Sequence, residues 1–343
     1  MAAAASQRFA EAGIGQAAPF VAADVGGTHA RIGLVRQVEP GSSAVTVERY
    51  DRYVCADFPN LAALLRQFLQ SIGDVPVTRV SIACAGVAVG DTLVNANLPW
   101  AVSLAEIRHE IGVAEVALVN DFEAVACATH YLRASECVLL PGDAEAAAQG
   151  PTLIVGPGTG LGAAVRIPGR DRSIVLATEA GQAALAPGNE LEIDVLRLLM
   201  RQSSHVSTES ALSGPGLVQL YNALCAIRGV PATLRAPAAI TEAALSAHDA
   251  LAIDTLNLFC AWLGSVVGDL ALSCGARGGV HLAGGILPHI RQFLLHSNFS
   301  ARFLAKGVMR PVLERIPVSL IDHGQLGVIG AACWLLDARE DGS

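Results

Sequence analysis

Two glycine turns, one in each half of the chain, carry residues suited to holding a phosphate chain. The first is Asp24-Val25-Gly26-Gly27-Thr28, and the second runs Gly156-Pro157-Gly158-Thr159-Gly160-Leu161-Gly162. Glycine lacks a Cβ, so main-chain N–H groups there can approach an anion closely. Threonine adds a hydroxyl donor. Two such turns suggest an anion gripped from both sides, with a nucleotide between two lobes. A third group is Asn120-Asp121, at the end of an apolar run. A carboxylate there can act as a base toward a substrate hydroxyl. A simpler reading makes Asn120-Asp121 a helix N-cap, and the two readings are compatible because one residue can cap while the other reacts. For Asp24 the simpler reading is a turn-capping carboxylate.

These residues need strands that end where the turns begin. Residues 19–23 and 152–155 read as buried strands leading into the two turns. After the first turn, residues 31–35 and 45–50 read as an antiparallel meander. Residues 61–72 have apolar positions at helical spacing, 77–83 form another buried strand, and 104–111 a short helix. The strand 115–119 then ends at Asn120-Asp121-Phe122, with a helix from Glu123. The second half repeats the order of strand, turn and strand, with 162–166 and 173–178 as strands. Helices are predicted at 190–200, 216–228, 241–246 and from about His248. A strand at 279–283 leads into Gly284-Gly285, followed by a strand at 318–321 and a closing helix at 327–336. Alternating strands and helices imply an α/β architecture with mostly parallel central strands.

Composition narrows the function classes. The 343 residues are 52% hydrophobic and 16% charged, enough apolar material for a sizeable core, and the net charge is −8. That balance, with no Lys/Arg cluster, argues against a nucleic-acid partner. The eight cysteines contain no Cys-x-x-Cys pair, so they are expected as buried thiols in a reducing cytoplasm rather than as zinc ligands. The segment 251–276 is broken by Asp254 and Asp269 and is expected as a buried helix rather than a membrane span. Residues 1–18 lack the apolar stretch of a signal peptide and are expected to be a flexible tail.

Several motifs occur in one order. They are Asp24-x-Gly26-Gly27-Thr28-x-x-Arg31, Val119-Asn120-Asp121-Phe122, Gly158-Thr159-Gly160-Leu161-Gly162 and Glu179-x-Gly181. Then come His205-Val206-Ser207-Thr208-Glu209, Leu212-Ser213-Gly214-Pro215-Gly216-Leu217, and Ala283-Gly284-Gly285-Ile286. From about Phe20 to Ala332 the chain resembles the bacterial glucokinases of the hexokinase/actin-like ATPase superfamily. The resemblance implies a two-lobed, ribonuclease H-like α/β fold, each lobe a mixed sheet flanked by helices, with a deep cleft between. The lobes would be 19–121 plus 322–343 (small) and 122–321 (large). It also implies ATP-dependent phosphorylation of glucose at the 6-hydroxyl, the first step of glycolysis, and suggests a homodimer.

The resemblance assigns roles residue by residue. Asp121 is the catalytic base for the 6-hydroxyl. Asn97, Asn120, Asp121, Glu179, Gln182 and Glu209 are the sugar ligands, although Asn97 before Leu98-Pro99 is also a natural turn former. Ala23, Asp24, Val25, Gly26, Gly27, Thr28, Arg31, Gly158, Thr159, Gly160, Gly284 and Gly285 are ATP contacts. Asp24 faces Mg²⁺ through water, which suits a hard cation that keeps its hydration shell.

Two departures stand out. The family commonly has Glu-x-Gly-His, where this chain has Glu179-Ala180-Gly181-Gln182. Glutamine can donate and accept but cannot become cationic. His29 follows Thr28 where the family often has Asn, and a metal role for it is not expected. The chain lacks the Cys-x-Cys-Gly-x-x-Gly-Cys cluster of the ROK sugar kinases. Two alternatives stay open: a kinase for another hexose, and a sugar-binding regulator with weak catalysis.

Overall fold

The computed structural model describes residues 18–39, 41–94, 98–140, 149–170 and 173–340. The chain divides into two compact units. One comprises the residues up to Ala124 together with those from Gln325 onward, and the other is Val125–Gly324.

The first unit contains β1 (Phe20–Val25), β2 (His29–Gln37), β3 (Val45–Val54), α1 (Leu61–Ser71) and β4 (Arg79–Cys84). It continues through the short strands β5 (Val87–Val89), β6 (Thr92–Val94) and β7 (Val102–Ser103). Next are α2 (Leu104–Ile111), β8 (Glu115–Val119) and the start of α3 (Asp121–Ala128). The main sheet has the order β3-β2-β1-β4-β8, and β5-β6-β7 form a small separate sheet. β1 pairs antiparallel with β2 and parallel with β4, which is parallel to β8. Helices on both faces explain the near-continuous apolar run of β1.

α1 and α2 begin at side-chain caps. Asn60 accepts from the N–H of Ala63, and Ser103 from that of Glu106. α1 buries Leu61, Leu64, Leu65 and Phe68, the i, i+3, i+4, i+7 stripe of a core-facing helix. The opposite sheet face, with Phe20, Ala22 and Val35, is covered by the last helix of the chain, which contributes Val328, Ala331, Ala332 and Leu335. Ser81 Oγ also donates to the carbonyl of Ala331 at 2.7 Å.

The second unit holds β9 (Cys137–Leu139), β10 (Thr152–Pro157), β11 (Leu161–Ile167), β12 (Ile174–Thr178), α4 (Glu190–Met200), α5 (Gly214–Arg228), α6 (Pro237–Leu245) and α7 (Ala250–Ser273). β13 (Gly279–Leu282), α8 (Arg291–His296), α9 (Phe299–Leu304), α10 (Arg310–Leu313) and β14 (Val318–Ile321) follow. The last helix, α11 (Leu326–Glu340), belongs to the first unit. The sheet order is β12-β11-β10-β13-β14-β9. Its run β12-β11-β10-β13 repeats the run β3-β2-β1-β4, an antiparallel meander followed by a parallel strand. α7 is long and apolar, and most of its side chains are buried in the core of this unit. None of the eight cysteines is in a disulfide.

The α/β architecture and the mixed sheet of each unit are as the sequence predicts. The sequence assigns no element to the β5–β7 sheet, to β9, or to α8–α10, all of which are short. The helices predicted from 216 and 241 begin earlier, at Gly214 and Pro237. In α5, Ser213 caps the helix by accepting from the N–H of Gly216 at 3.0 Å.

Candidate active site

In the first unit the glycine turn closes the β1–β2 hairpin. The N–H of Gly26 donates to the carbonyl of His29 at 3.0 Å, and the carbonyl of Thr28 accepts from Cys55 at 2.9 Å. The N–H groups of Gly27 and Thr28 have no hydrogen-bond partner among the described residues. Ala23 and Val25 face the core. Between them, Asp24 lies opposite Arg31 in the ladder, and Arg31 Nη1 donates to Asp24 Oδ2 at 2.9 Å. Burial raises the Asp24 carboxyl above its ordinary range, against the lowering pull of Arg31. The first turn of α11 packs against the same carboxylate. A Cβ on Gly327 would lie 2.6 Å from its carboxyl carbon, so a side chain there would displace it. A helix N-terminus is a favourable place for negative charge. Gly327 is a site residue that sequence reasoning missed, since nothing in its neighbours marks it as facing Asp24.

His29 is held below its ordinary value by partial burial, then by the positive charges of Arg52 and Arg31.

At the end of β8, Asn120 caps α3. Its Oδ1 accepts from the N–H groups of Phe122 at 3.0 Å and Glu123 at 3.1 Å. Asp121 is the first helical residue, and its Oδ1 also accepts from Phe122, at 3.0 Å. The helix cap considered for this pair is thus supplied by Asn120, which takes the bond from Glu123. α3 is tied down by Trp334 Nε1, which donates to Glu123 Oε1 at 2.8 Å. Asn97 lies outside the described residues.

In the second unit the turn between β10 and β11 is three residues, Gly158-Thr159-Gly160, closed by the N–H of Gly158 donating to the carbonyl of Gly160 at 2.7 Å. The N–H groups of Thr159 and Gly160 have no partner among the described residues. The turn is held from outside at two points. The N–H of Gly214, at the start of α5, donates to the carbonyl of Gly158 at 2.8 Å, and the N–H of Leu161 donates to Glu209 Oε2 at 2.8 Å.

Glu209 sits in a single 3₁₀ turn, Thr208–Ser210, fixed by a capping box between Ser207 and Ser210. Its other oxygen, Oε1, accepts from Gln182 Nε2 at 3.3 Å. Gln182 ends the 3₁₀ turn Ala180–Gln182, whose carbonyls at Ala180 and Gly181 accept from the Thr208 hydroxyl. His205 Nε2 lies 2.8 Å from the Gln182 carbonyl oxygen. The carboxylate of Glu179 is exposed and has no partner among the described residues. Gln182 and Glu209, 27 residues apart in sequence, are therefore brought together beside the glycine loop, and Glu179 lies just before the 3₁₀ turn that carries Gln182.

Gly284 follows β13 with φ +91°, and a Cβ there would collide with the carbonyl oxygen of Pro157. Both the left-handed backbone and the close approach require glycine. Gly285 has open space where a side chain would be.

A family model described as Glucokinase matches residues 21–338. A glucokinase-like protein of Xylella fastidiosa (strain 9a5c) is 48% identical over 93% of this chain and 95% of its own. The glucokinase of Saccharophagus degradans is 38% identical over 92% of this chain and 98% of its own. Among solved structures, a glucokinase from an Antarctic psychrotroph superposes with a TM-score of 0.80 at 34% identity, covering 94% of this chain and all of that one.

Proposed function

The chain belongs to the glucokinase family, and from that premise we propose how its residues transfer the terminal phosphoryl group of ATP to the 6-hydroxyl of glucose. Asp121 accepts the hydroxyl proton as that oxygen attacks phosphorus. Phosphoryl transfer needs little more from a protein than positioning, charge neutralisation and a base. The observation that carries this assignment is the division at the end of β8. Asn120 supplies the helix cap, so the adjacent carboxylate is not required for it.

Gly27 and Thr28 in the first unit, and Thr159 and Gly160 in the second, offer N–H groups with no partner among the described residues, and the two threonines add hydroxyls suited to phosphate oxygens. Gly26 and Gly158 shape the turns instead, since their own N–H groups close them. Gly284 and Gly285 leave a flat, side-chain-free surface suited to the adenine base. Arg31 acts chiefly through Asp24, whose Oδ2 it holds.

Asp24 also fits Mg²⁺. Its Oδ1 accepts no hydrogen bond among the described residues, and an oxygen acceptor held by an ion pair suits a hydrated hard cation. When bound there, Mg²⁺ would shield the phosphate charge that the attacking hydroxyl must approach. Asn120, Glu179 and Glu209 are the proposed sugar ligands, and Asn97 and Gln182 are proposed as further ones. A site of directional donors and acceptors penalises a wrong epimer through the polar groups it leaves unpaired. The proposal places the enzyme in the cytoplasm, at the entry of glucose into glycolysis.

Coupled ADP release, measured over a panel of glucose, mannose, fructose and amino sugars, tests the reading. Glucose is expected to give the highest kcat/KM. A higher value for another hexose would make this a kinase of that sugar. Glucose binding without ADP release would make it a sugar-binding regulator, the reading that Gln182 in place of histidine would then explain.

A further inference from the structure

Glu209 makes its shorter hydrogen bond not toward an open site but to the phosphate loop itself. Its Oε2 accepts from Leu161 N–H at 2.8 Å, while Oε1 accepts from Gln182 at 3.3 Å. The same Oε2 lies so close to Gly160 that a Cβ at 160 would collide with it. The residue before this contact and the backbone of Glu209 itself are pinned as well. Thr208 is hydrogen-bonded to the Ala180 and Gly181 carbonyls, and Ser213 Oγ donates to the Glu209 carbonyl at 2.8 Å. A carboxylate on so fixed a backbone imposes its position on the loop rather than following it. Charge-assisted bonds from N–H to carboxylate are about twice as strong as neutral ones.

We propose that Glu209 is a positioning residue for the nucleotide: its carboxylate fastens the Gly158–Leu161 loop in the shape that presents the Thr159 and Gly160 N–H groups. Gly160 is glycine because the fastening carboxylate occupies the space of its side chain. This rests on the reading of the loop as a nucleotide phosphate grip. It goes beyond the sugar-ligand role, because it makes nucleotide affinity depend on Glu209 with no sugar present. It also gives the two substrates a shared group. A sugar hydroxyl that takes Oε1 from Gln182 acts on the carboxylate that holds the loop, and any such coupling is reciprocal.

The test is ADP affinity, measured by titration calorimetry with MgCl₂ and without sugar, in the full-length protein. Glu209→Ala is expected to weaken ADP about tenfold, the loss of one charge-assisted hydrogen bond. Glu209→Gln keeps an oxygen for Leu161 and is expected to stay within about threefold of the parent, which guards against a folding defect being read as loop loosening. Gly160→Ala must push the carboxylate off Leu161, so it should match Glu209→Ala. The double variant should bind ADP no more weakly than Glu209→Ala alone, because the clash has gone.

If Gly160→Ala weakens ADP while Glu209→Ala leaves it unchanged, the fastening role is overturned and the loop remains a nucleotide grip. If neither variant moves ADP affinity, the loop reading itself falls, and this inference with it. Multiplying losses in the double variant would also overturn it.

Discussion

The two glycine turns occupy equivalent places in the two sheets, yet they are stabilised by different means. In the first unit the ladder position one pair back from the turn is Asp24 opposite Arg31; in the second it is Gly156 opposite Gly162. The first turn therefore carries its charge within the hairpin, as an ion pair. The second carries none, and takes its shape from neighbours: Glu209, the start of α5, and the Ala283-Gly284 turn, which leaves no room for a side chain at Gly156. The difference indicates that the repeated scaffold was kept while the chemistry was divided. The first hairpin holds an ion pair of its own, and the second is held by a carboxylate from outside the hairpin and by close backbone approach.

That division can be broken by substitution. The largest effect is expected where charge does chemistry. Asp121→Asn should lower kcat about 1000-fold, the scale of a lost general base, with glucose affinity by calorimetry nearly unchanged. Turnover within tenfold of the parent would remove Asp121 from the base role. Next, Asp24→Asn should lower kcat/KM for MgATP about 100-fold, or nearly 3 kcal/mol of transition-state stabilisation. It should leave the glucose KM within threefold. A change confined to glucose would place Asp24 on the wrong substrate.

In the second unit, backbone should matter more than charge. Gly284→Ala meets both a positive φ and the Pro157 carbonyl, and should cost about 2 kcal/mol of stability in urea denaturation. A variant as stable as the parent would show that the turn can relax.

The smallest effect is a pH dependence confined to the second unit. His281, on β13, is partly buried with Nδ1 2.8 Å from Ser319 Oγ, and desolvation, then Arg166, pushes it down to about 4. The folded chain thus binds fewer protons than the unfolded one between pH 6.5 and about 4. The stabilisation is complete above that window and is lost as pH falls through it, at about 1 kcal/mol per pH unit. His281→Gln should flatten that slope in denaturation followed from pH 7 to 5. An unchanged slope would assign the acid sensitivity elsewhere.

Much of this was legible in the sequence, for identifiable reasons. β1, α2, β8 and α4 announce themselves by apolar runs or helical spacing between clear stops such as Gly112 and Asn189. The ordered glycine motifs mark where the turns must be. Fastenings between distant segments were not legible. Nothing near Gly327 points to Asp24, 303 residues earlier, and nothing near Leu161 shows that its N–H will meet Glu209. Such contacts depend on which helix start and which loop the fold brings together. The β5–β7 sheet was missed because strands of two or three residues leave no periodicity to detect, and α8 and α9 because Ser297 and Asn298 interrupt one apolar run.

The place of α11 has a consequence for biosynthesis. Strands β1 to β4 leave the ribosome first, with Phe20, Ala22 and Val35 on the face that α11 packs against. That cover is translated after all of Val125–Gly324. The nascent first sheet must therefore wait with the α11 part of that face bare while the whole inserted segment is made, a period in which a chaperone has a defined patch to shield.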